Sequence, residues 1–231
     1  MAEIRTDTRN GDAPTAATLS STLVARVRNS IMCGELMPGS KLNLDRMREA
    51  YGVSLSPLRE ALCRLESEGL VTIVDQRGYR VAPVSNANLA EVIRLRVELE
   101  CMAAREAMQN GDAAWEGQIL AALHRLSRCK RGARSAQEQE AWEVAHRAFH
   151  AELTSACGMP LLQQFCVMLH DQSDRYRRIF LKNHAPDRDV PAEHEAIAEA
   201  IIARRVREAT HLLRDHIERT GRNIQAALCD T

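Results

Sequence analysis

Aromatic side chains are scarce: two Trp, three Tyr and three Phe make up 3% of 231 residues, so any core must be aliphatic. No C-x-x-C pair occurs among Cys33, Cys63, Cys101, Cys129, Cys157, Cys166 and Cys229. Their odd number and scattered spacing suggest neither a zinc ribbon nor a disulfide framework. Most stand among apolar neighbours and read as small buried hydrophobes of a reducing compartment. No apolar run is long enough to span a bilayer, and the opening stretch, with Arg5, Asp7, Arg9 and Asp12, lacks the apolar segment of a secretory leader. The expectation is a cytoplasmic protein with no membrane partner and a disordered tail over residues 1–18. Net charge is missing too, 31 basic against 31 acidic residues, so no global field advertises nucleic-acid binding. Such a partner would require a local positive surface, which a balanced total does not exclude. What is abundant is Ala, Leu and Arg, a composition that favours helices.

Over residues 19–84 the pattern changes character in order. A first helix is predicted from Ser20 to Cys33, with Leu23, Val24, Val27 and Ile31 on one face and Gly34, then Pro38-Gly39, to stop it. Asn43 is a candidate N-cap for a short helix that carries Leu44, Met47 and Tyr51 inward and closes at Gly52. A third helix opens near Ser54 and tolerates Pro57 in its first turn, with Leu58, Ala61, Leu62 and Leu65 recurring on one face until Gly69. Val71–Val74 and Tyr79–Ala82 then alternate as two strands around Asp75-Gln76-Arg77-Gly78, a hairpin whose glycine supplies the positive φ of a tight turn. Three helices and a β-hairpin make a winged helix-turn-helix, whose second motif helix enters the DNA major groove. Ser54, Leu55, Ser56, Pro57 and Arg59 on that helix, Arg46 on the helix before it, and Gln76, Arg77 and Gly78 at the wing tip are the candidate DNA contacts. The serines could instead merely cap the helix, Arg59 could pair with Glu60 or Glu66, and the wing tip could be a bland surface turn.

From Asn86 onward no strand signal returns. Helices are predicted over about 86–110, 112–130, 135–157, 160–183, 190–204 and 206–228, an antiparallel all-α bundle over residues 85–229. His146 and His150, four apart, share one helical face, while His194 and His216 lie on the last two helices. Imidazoles from three helices can converge on a borderline metal, or can serve as separate polar or capping groups. A metal-dependent enzyme built on the His146/His150 pair is an alternative, but Arg147 stands where the His-Glu-x-x-His hydrolase motif places its general base. A helical scaffold on an architectural DNA binder is another, and would not require clustered histidines.

The order Ile31-x-x-Gly34-x-Leu36-x-Pro38-Gly39, Gly52-Val53-Ser54-x-x-Pro57-x-Arg59-Glu60-Ala61-Leu62, Arg64-Leu65-x-x-x-Gly69-Leu70-Val71 and Arg77-Gly78-Tyr79-x-Val81 resembles the DNA-binding domain of GntR-family bacterial transcription regulators. The family commonly has a polar residue, often Arg, where this chain has Leu55. Leucine makes no bidentate guanine contact, so base readout would lean on Arg59, the serines, the wing, or a thymine methyl against Leu55. Residues 86–228 resemble the FadR-type C-terminal effector domain, FCD, through Arg96-x-x-x-Glu100, Phe149-His150, Glu193-His194-x-Ala196-Ile197 and His216. Six helices point to the VanR-like subgroup. The resemblance implies a homodimeric repressor of a catabolic operon, bound to a pseudo-palindromic operator and released by a small carboxylate held beside a metal ion.

Metal-binding members use an Asp and three His. Here His146 occupies the Asp position, so His146, His150, His194 and His216 form the expected ligand set, and Zn²⁺ or Ni²⁺ the expected ion. Alternatively His146 stays out of the coordination sphere and Glu143, one turn away, substitutes for it. Arg96, Glu100, Arg175 and Tyr176, with Arg178, are the expected effector-lining residues, as guanidinium groups suit carboxylates; any one of them could equally be a salt-bridge residue. The stretch Gln172-x-x-Arg175-Tyr176-Arg177-Arg178 resembles regulators of glutarate and related carbon-starvation metabolism.

Overall fold

In the computed structural model, residues 19–75, 77–129, 135–181 and 188–229 are described; the expected tail over 1–18 and the wing residue Gln76 lie outside them. Helix α1 (Leu19–Met32) leads through β1 (Lys41–Leu42) to α2 (Leu44–Tyr51), α3 (Leu55–Ser67), β2 (Val71–Val74) and β3 (Gly78–Val81). Asn43 caps α2 as the sequence suggests, its Oδ1 accepting from the backbone N–H groups of Asp45 and Arg46. Gly52 closes the same helix at φ 66°, where a side chain would be strained. The hairpin pairs Val71 with Val81 and Val74 with Gly78, whose φ is 83°. Unexpected is β1, which pairs antiparallel with β3 (Leu42 opposite Tyr79) and makes a three-stranded sheet in the order β1-β3-β2. Leu23, Val27, Ile31, Leu58, Leu62, Leu65, Leu70, Val71 and Val81 pack into one aliphatic core beneath it.

The second body is α4 (Asn86–Asn110), α5 (Ala113–Ser127), α6 (Ala136–Thr154), a 3₁₀ turn (Ser155–Cys157), α7 (Pro160–Phe180), α8 (Val190–Ile202) and α9 (Val206–Cys229). Side-chain caps open α4 (Ser85), α5 (Asp112), α6 (Ser135) and α8 (Asp189), satisfying N–H groups that a helix start leaves without partners. Helix α4 is central, packed along both α7 and α9. Trp115, Ile119, Phe149, Leu153, Ile197, Ile201, Leu213 and Ile217 form the main core. The indole N–H of Trp115 donates to the Glu152 carbonyl (2.8 Å), so the largest side chain leaves no polar atom unpaired. The cysteines are all free, but only Cys101, Cys157 and Cys166 are buried; Cys33, Cys63 and Cys229 are exposed, against the expectation that most would be interior.

Helix α7 also holds the winged helix in place. Arg175 Nη1 and Nη2 donate to the carbonyls of Ala82 (3.2 Å) and Pro83 (3.1 Å), and Gln172 donates to the Glu68 carbonyl (3.4 Å). The Tyr176 hydroxyl, on a fully buried ring, accepts from the Ser85 N–H (3.0 Å) and donates to Asn88 Oδ1 (2.9 Å). These bonds fix the segment that joins the two bodies. Tyr176→Phe strips the Ser85 N–H of its acceptor inside the protein. Ser85 is exposed, so water replaces part of the lost bond and the net loss is that of an ordinary hydrogen bond, about 0.5–1.5 kcal/mol; the denaturation midpoint measured by circular dichroism should fall modestly, and an unchanged midpoint would show that the bond contributes nothing.

Candidate effector cavity and DNA-reading surface

On the outer side of the winged helix, Arg46, Ser54, Ser56, Arg59, Arg77 and Gly78 are exposed, and Leu55 and Pro57 are half-buried. Ser54 occupies the N-cap position of α3, yet its side chain makes no capping bond. Glu60 is engaged by Ser20 Oγ (2.9 Å) and Arg64 Nη2 (3.2 Å), and among the described residues Arg59 forms no ion pair. The reading in which these serines only cap and Arg59 only pairs with its neighbours therefore loses its basis at Ser54 and Arg59. A free guanidinium and free hydroxyls on the first turns of α3 suit phosphate oxygens and base edges.

Inside the helical bundle, α6 presents His146 and His150, α8 His194 and α9 His216, and one ligand atom from each lies within 4.8 Å of all the others. All four are buried. Ring centroids are 4.6 Å apart for His146–His150, 4.8 Å for His194–His216 and 5.2 Å for His150–His216. Sequence spacing paired only the first two. The convergence of the others is a property of the packing of α8 and α9 against α6.

Burial holds His146 and His150 well below the ordinary imidazole pKa, with neighbouring histidines adding to the effect, so both are neutral lone-pair donors near pH 7. Nδ1 of His146 and both ring nitrogens of His150 have no hydrogen-bond partner despite burial. Polar atoms taken out of water normally find partners, so orphaned imidazole nitrogens aimed at one another are what a metal site looks like before its ion is counted. His216 adds a second indication. Its Nδ1 lies 2.8 Å from Glu193 Oε2. Glu193 is carried below its usual range by His216, Arg188 and Arg219 in spite of partial burial. A carboxylate acceptor there puts the proton on Nδ1 and leaves the Nε2 lone pair for the cluster, the arrangement that orients metal-bound histidines.

Arg96 lines this cavity, but not as a free cation: Nε donates to Glu100 Oε1 (2.6 Å) and Nη1 to Ser173 Oγ (2.9 Å). Arg177 is held by Asp174 and Glu143, and Arg188 by Glu193 (2.9 Å) and Thr220 (2.5 Å). Arg175 and Tyr176, expected to line the cavity, face the joining segment instead. Positions 170, 173, 174 and 177 of α7 recur at helical spacing on the cavity side, and 172, 175, 176 and 179 turn away. Arg178 reaches Glu140 (2.8 Å) and Cys33 Sγ (3.8 Å), also outside the cavity. Glu143, the acidic substitute considered for His146, is bound to Arg177. Sequence reading missed Arg177, Arg188 and a fifth buried histidine, His170. The only signal available for His170 was its i, i+4 spacing from Asp174. The space left between these side chains is small, about 20 Å³.

Residues 19–81 match the family described as "Bacterial regulatory proteins, gntR family", and residues 91–219 match the FCD domain. The chain belongs to the GntR family. The "Uncharacterized HTH-type transcriptional regulator BphR" of Paraburkholderia xenovorans is 39% identical over 84% of this chain and 80% of its own. The "HTH-type transcriptional repressor GlaR" of Escherichia coli is 33% identical over 83% and 89%. Among solved structures, E. coli McbR/YncC superposes with a TM-score of 0.75 at 22% identity, over 93% of this chain and 99% of the other, a likeness of fold. As a GntR-family member this protein is a transcriptional regulator with a DNA-binding winged helix and an effector-binding domain, not an enzyme, and the metal-dependent enzyme alternative falls. No described helix of this GntR regulator is long and apolar enough to cross a membrane.

The buried imidazoles predict a pH dependence. His170 is lowered to about 4, chiefly by burial, and His146 and His150 also lie far below their ordinary value. In the unfolded chain these groups protonate near pH ~6.5, so there the unfolded state binds the extra protons. Chelator-treated protein should keep full stability above about pH 6.5 and lose it progressively as the pH falls toward 4. A melting temperature flat across that window would contradict this state of the cluster.

Proposed function

We propose that this GntR-family protein is a cytoplasmic, homodimeric repressor of a catabolic operon, released from double-stranded operator DNA by a small carboxylate bound beside a divalent transition metal. Residues 19–84 serve as the reading head, and residues 85–229 as the sensing and dimerising body of VanR-like, six-helix type. The observation that carries the reading is the set of buried imidazoles on α6, α8 and α9, walled by a helix, α7, whose opposite face grips the segment leading to the DNA-binding head.

His146, His150, His194 and His216 are the proposed ligands, and imidazole donors favour Zn²⁺ or Ni²⁺ over Mg²⁺ or Ca²⁺. When bound, the ion supplies a Lewis-acid anchor for an effector carboxylate. The charge count argues for an anionic effector: three guanidinium groups, of Arg96, Arg177 and Arg188, face four carboxylates, of Glu100, Glu143, Asp174 and Glu193, one negative charge in excess and less than a dication brings. Neutral imidazoles bring no negative charge, so a bound dication leaves a positive excess that a carboxylate offsets. Arg96 is retained as an effector contact, with Glu100 and Ser173 orienting it. Arg175 and Tyr176 act instead as transmission residues.

About 20 Å³ has room for one or two water-sized groups. An effector with a carbon skeleton must therefore push the wall back, and α7 is part of that wall. Displacement of α7 carries Arg175 and Tyr176 with it and alters the pose of the winged helix, which supplies the unequal affinity for the two states that coupling demands. Repression is supported by the description of GlaR as a repressor. Dimerisation is supported by the exposed apolar Leu161 and Phe165, one turn apart on α7.

Gel-shift titration on the DNA upstream of this protein's own gene tests the whole reading. Short dicarboxylates should weaken binding by about 5- to 150-fold, whereas indifference to every carboxylate would leave a constitutive binder. Arg59→Ala should lower affinity for the same fragment by about 1–3 kcal/mol, the range for a lost base contact; full retention would remove Arg59 from the interface. Calorimetric Zn²⁺ titration of wild type and His150→Ala should show greater or far tighter uptake in the wild type. Equal uptake would overturn the metal site.

A further inference from the structure

The same cavity contains more ligands than one ion needs. Beside the four-histidine set, His146, His170 and Asp174 place one ligand atom each within 4.8 Å of one another, all buried. His170 is 6% exposed, and neither ring nitrogen has a hydrogen-bond partner. Asp174 Oδ1 accepts from Arg177 Nε (3.2 Å) and Nη2 (2.9 Å), while Oδ2 is directed toward His170 Nδ1, 3.7 Å away. That separation is too long for a hydrogen bond, so the carboxylate oxygen and the imidazole face each other without bonding.

The two sets share His146. A neutral imidazole has one lone pair, so His146 serves one ion at a time. With His146 in the second set, the six ligands divide evenly: His150, His194 and His216 on one side, and His146, His170 and Asp174 on the other. The helices carry the same device twice. Residues 146 and 150 on α6, and residues 170 and 174 on α7, are i, i+4 pairs, each projecting from one helical face into the cavity. The ring centroids of His146 and His150 stand 5.8 and 5.2 Å from that of His170, so the two ligand sets adjoin.

We propose that the cavity binds two divalent ions, the second held by His146, His170 and Asp174; the inference rests on the reading of His150, His194 and His216 as ligands of the first. Three protein ligands per ion leave coordination positions open, and a carboxylate between the ions would fill a position on each and offset part of their charge. The small volume of the cavity is no obstacle, because an ion occupies the space between its ligand atoms. A borderline metal suits both sets, one of three nitrogens and one of two nitrogens and an oxygen.

The test counts ions. Chelator-treated full-length protein is reconstituted with Zn²⁺, with and without succinate as a probe carboxylate, freed of excess metal, and assayed by elemental analysis per protomer. Two ions in the wild type with succinate, falling to one in His170→Leu, is the expected result. One ion in both would overturn the second site and leave the single-metal reading intact. No ion in either would overturn both. Two ions in both would place the extra ion elsewhere and also defeat the proposal. Should His170→Leu fail to fold, Co²⁺ titration of the wild type decides: visible absorption should keep rising to a second equivalent, and saturation at the first would sink the inference.

Discussion

Keeping a group of imidazoles out of water without giving them hydrogen-bond partners is the constraint around which the helical body is arranged. A buried polar atom with no partner is costly, and here several lie together on α6 and α7. The surrounding ion pairs, Arg96 with Glu100, Arg177 with Glu143 and Asp174, and Arg188 with Glu193, leave one carboxylate in excess and hold rigid side chains against the cluster. Such a wall does not neutralise the histidines; it keeps water away and leaves their lone pairs free. Lone pairs grouped in this way suit a cation, which is what the proposed metal would supply.

Helix α7 links this cluster to the rest of the molecule because its two faces do different work. His170, Ser173, Asp174 and Arg177 belong to the cavity, while Gln172, Arg175 and Tyr176 hold the joining segment and the end of α3. Gly69 lies beside this contact at φ 73°, a backbone conformation that strains any side chain, and a Cβ there would also push the Gln172 amide, 2.6 Å away, out of its present place. A packed helix is stiff along its length, and a shift on one face appears on the other.

Local features were legible in the sequence because they rest on neighbouring residues. Asn43 and Gly52 bound α2 through short-range hydrogen bonds and backbone conformation, and Gly78 turns the hairpin, whatever the rest of the chain does. The six long helices of the bundle also follow from periodicity and from breaks at Gly and Pro. The two-residue β1 was not legible: its existence depends on β3 offering an edge, not on any pattern in Lys41-Leu42. Arg175 and Tyr176 were misplaced for a related reason. Arg175 and Arg177 look alike in sequence, and only the rotational setting of α7 sends one to the joining segment and the other to the cavity. His170 was passed over because a lone histidine acquires meaning only when α6 faces it across the bundle.

The DNA-reading head meets a different demand, a positive surface on a chain with no net charge. Two of the acidic residues at α3 are tied up rather than absent. Glu60 is held by Ser20 and Arg64, and Glu68 is clamped by Arg28 at the inner end of the helix, with Nε 3.0 Å from Oε2. Arg46, Arg59 and Arg77 remain exposed on the outer side. Charge of this kind fixes position on phosphate, and specificity requires a base edge. With Leu55 half-buried at the head of α3, its methyl groups offer an apolar surface where an arginine would offer two donors. A thymine methyl is complementary to such a surface and a guanine edge is not. Leu55→Arg should therefore shift the preferred operator base facing this position from thymine toward guanine, as selection of binding sites from random DNA would read.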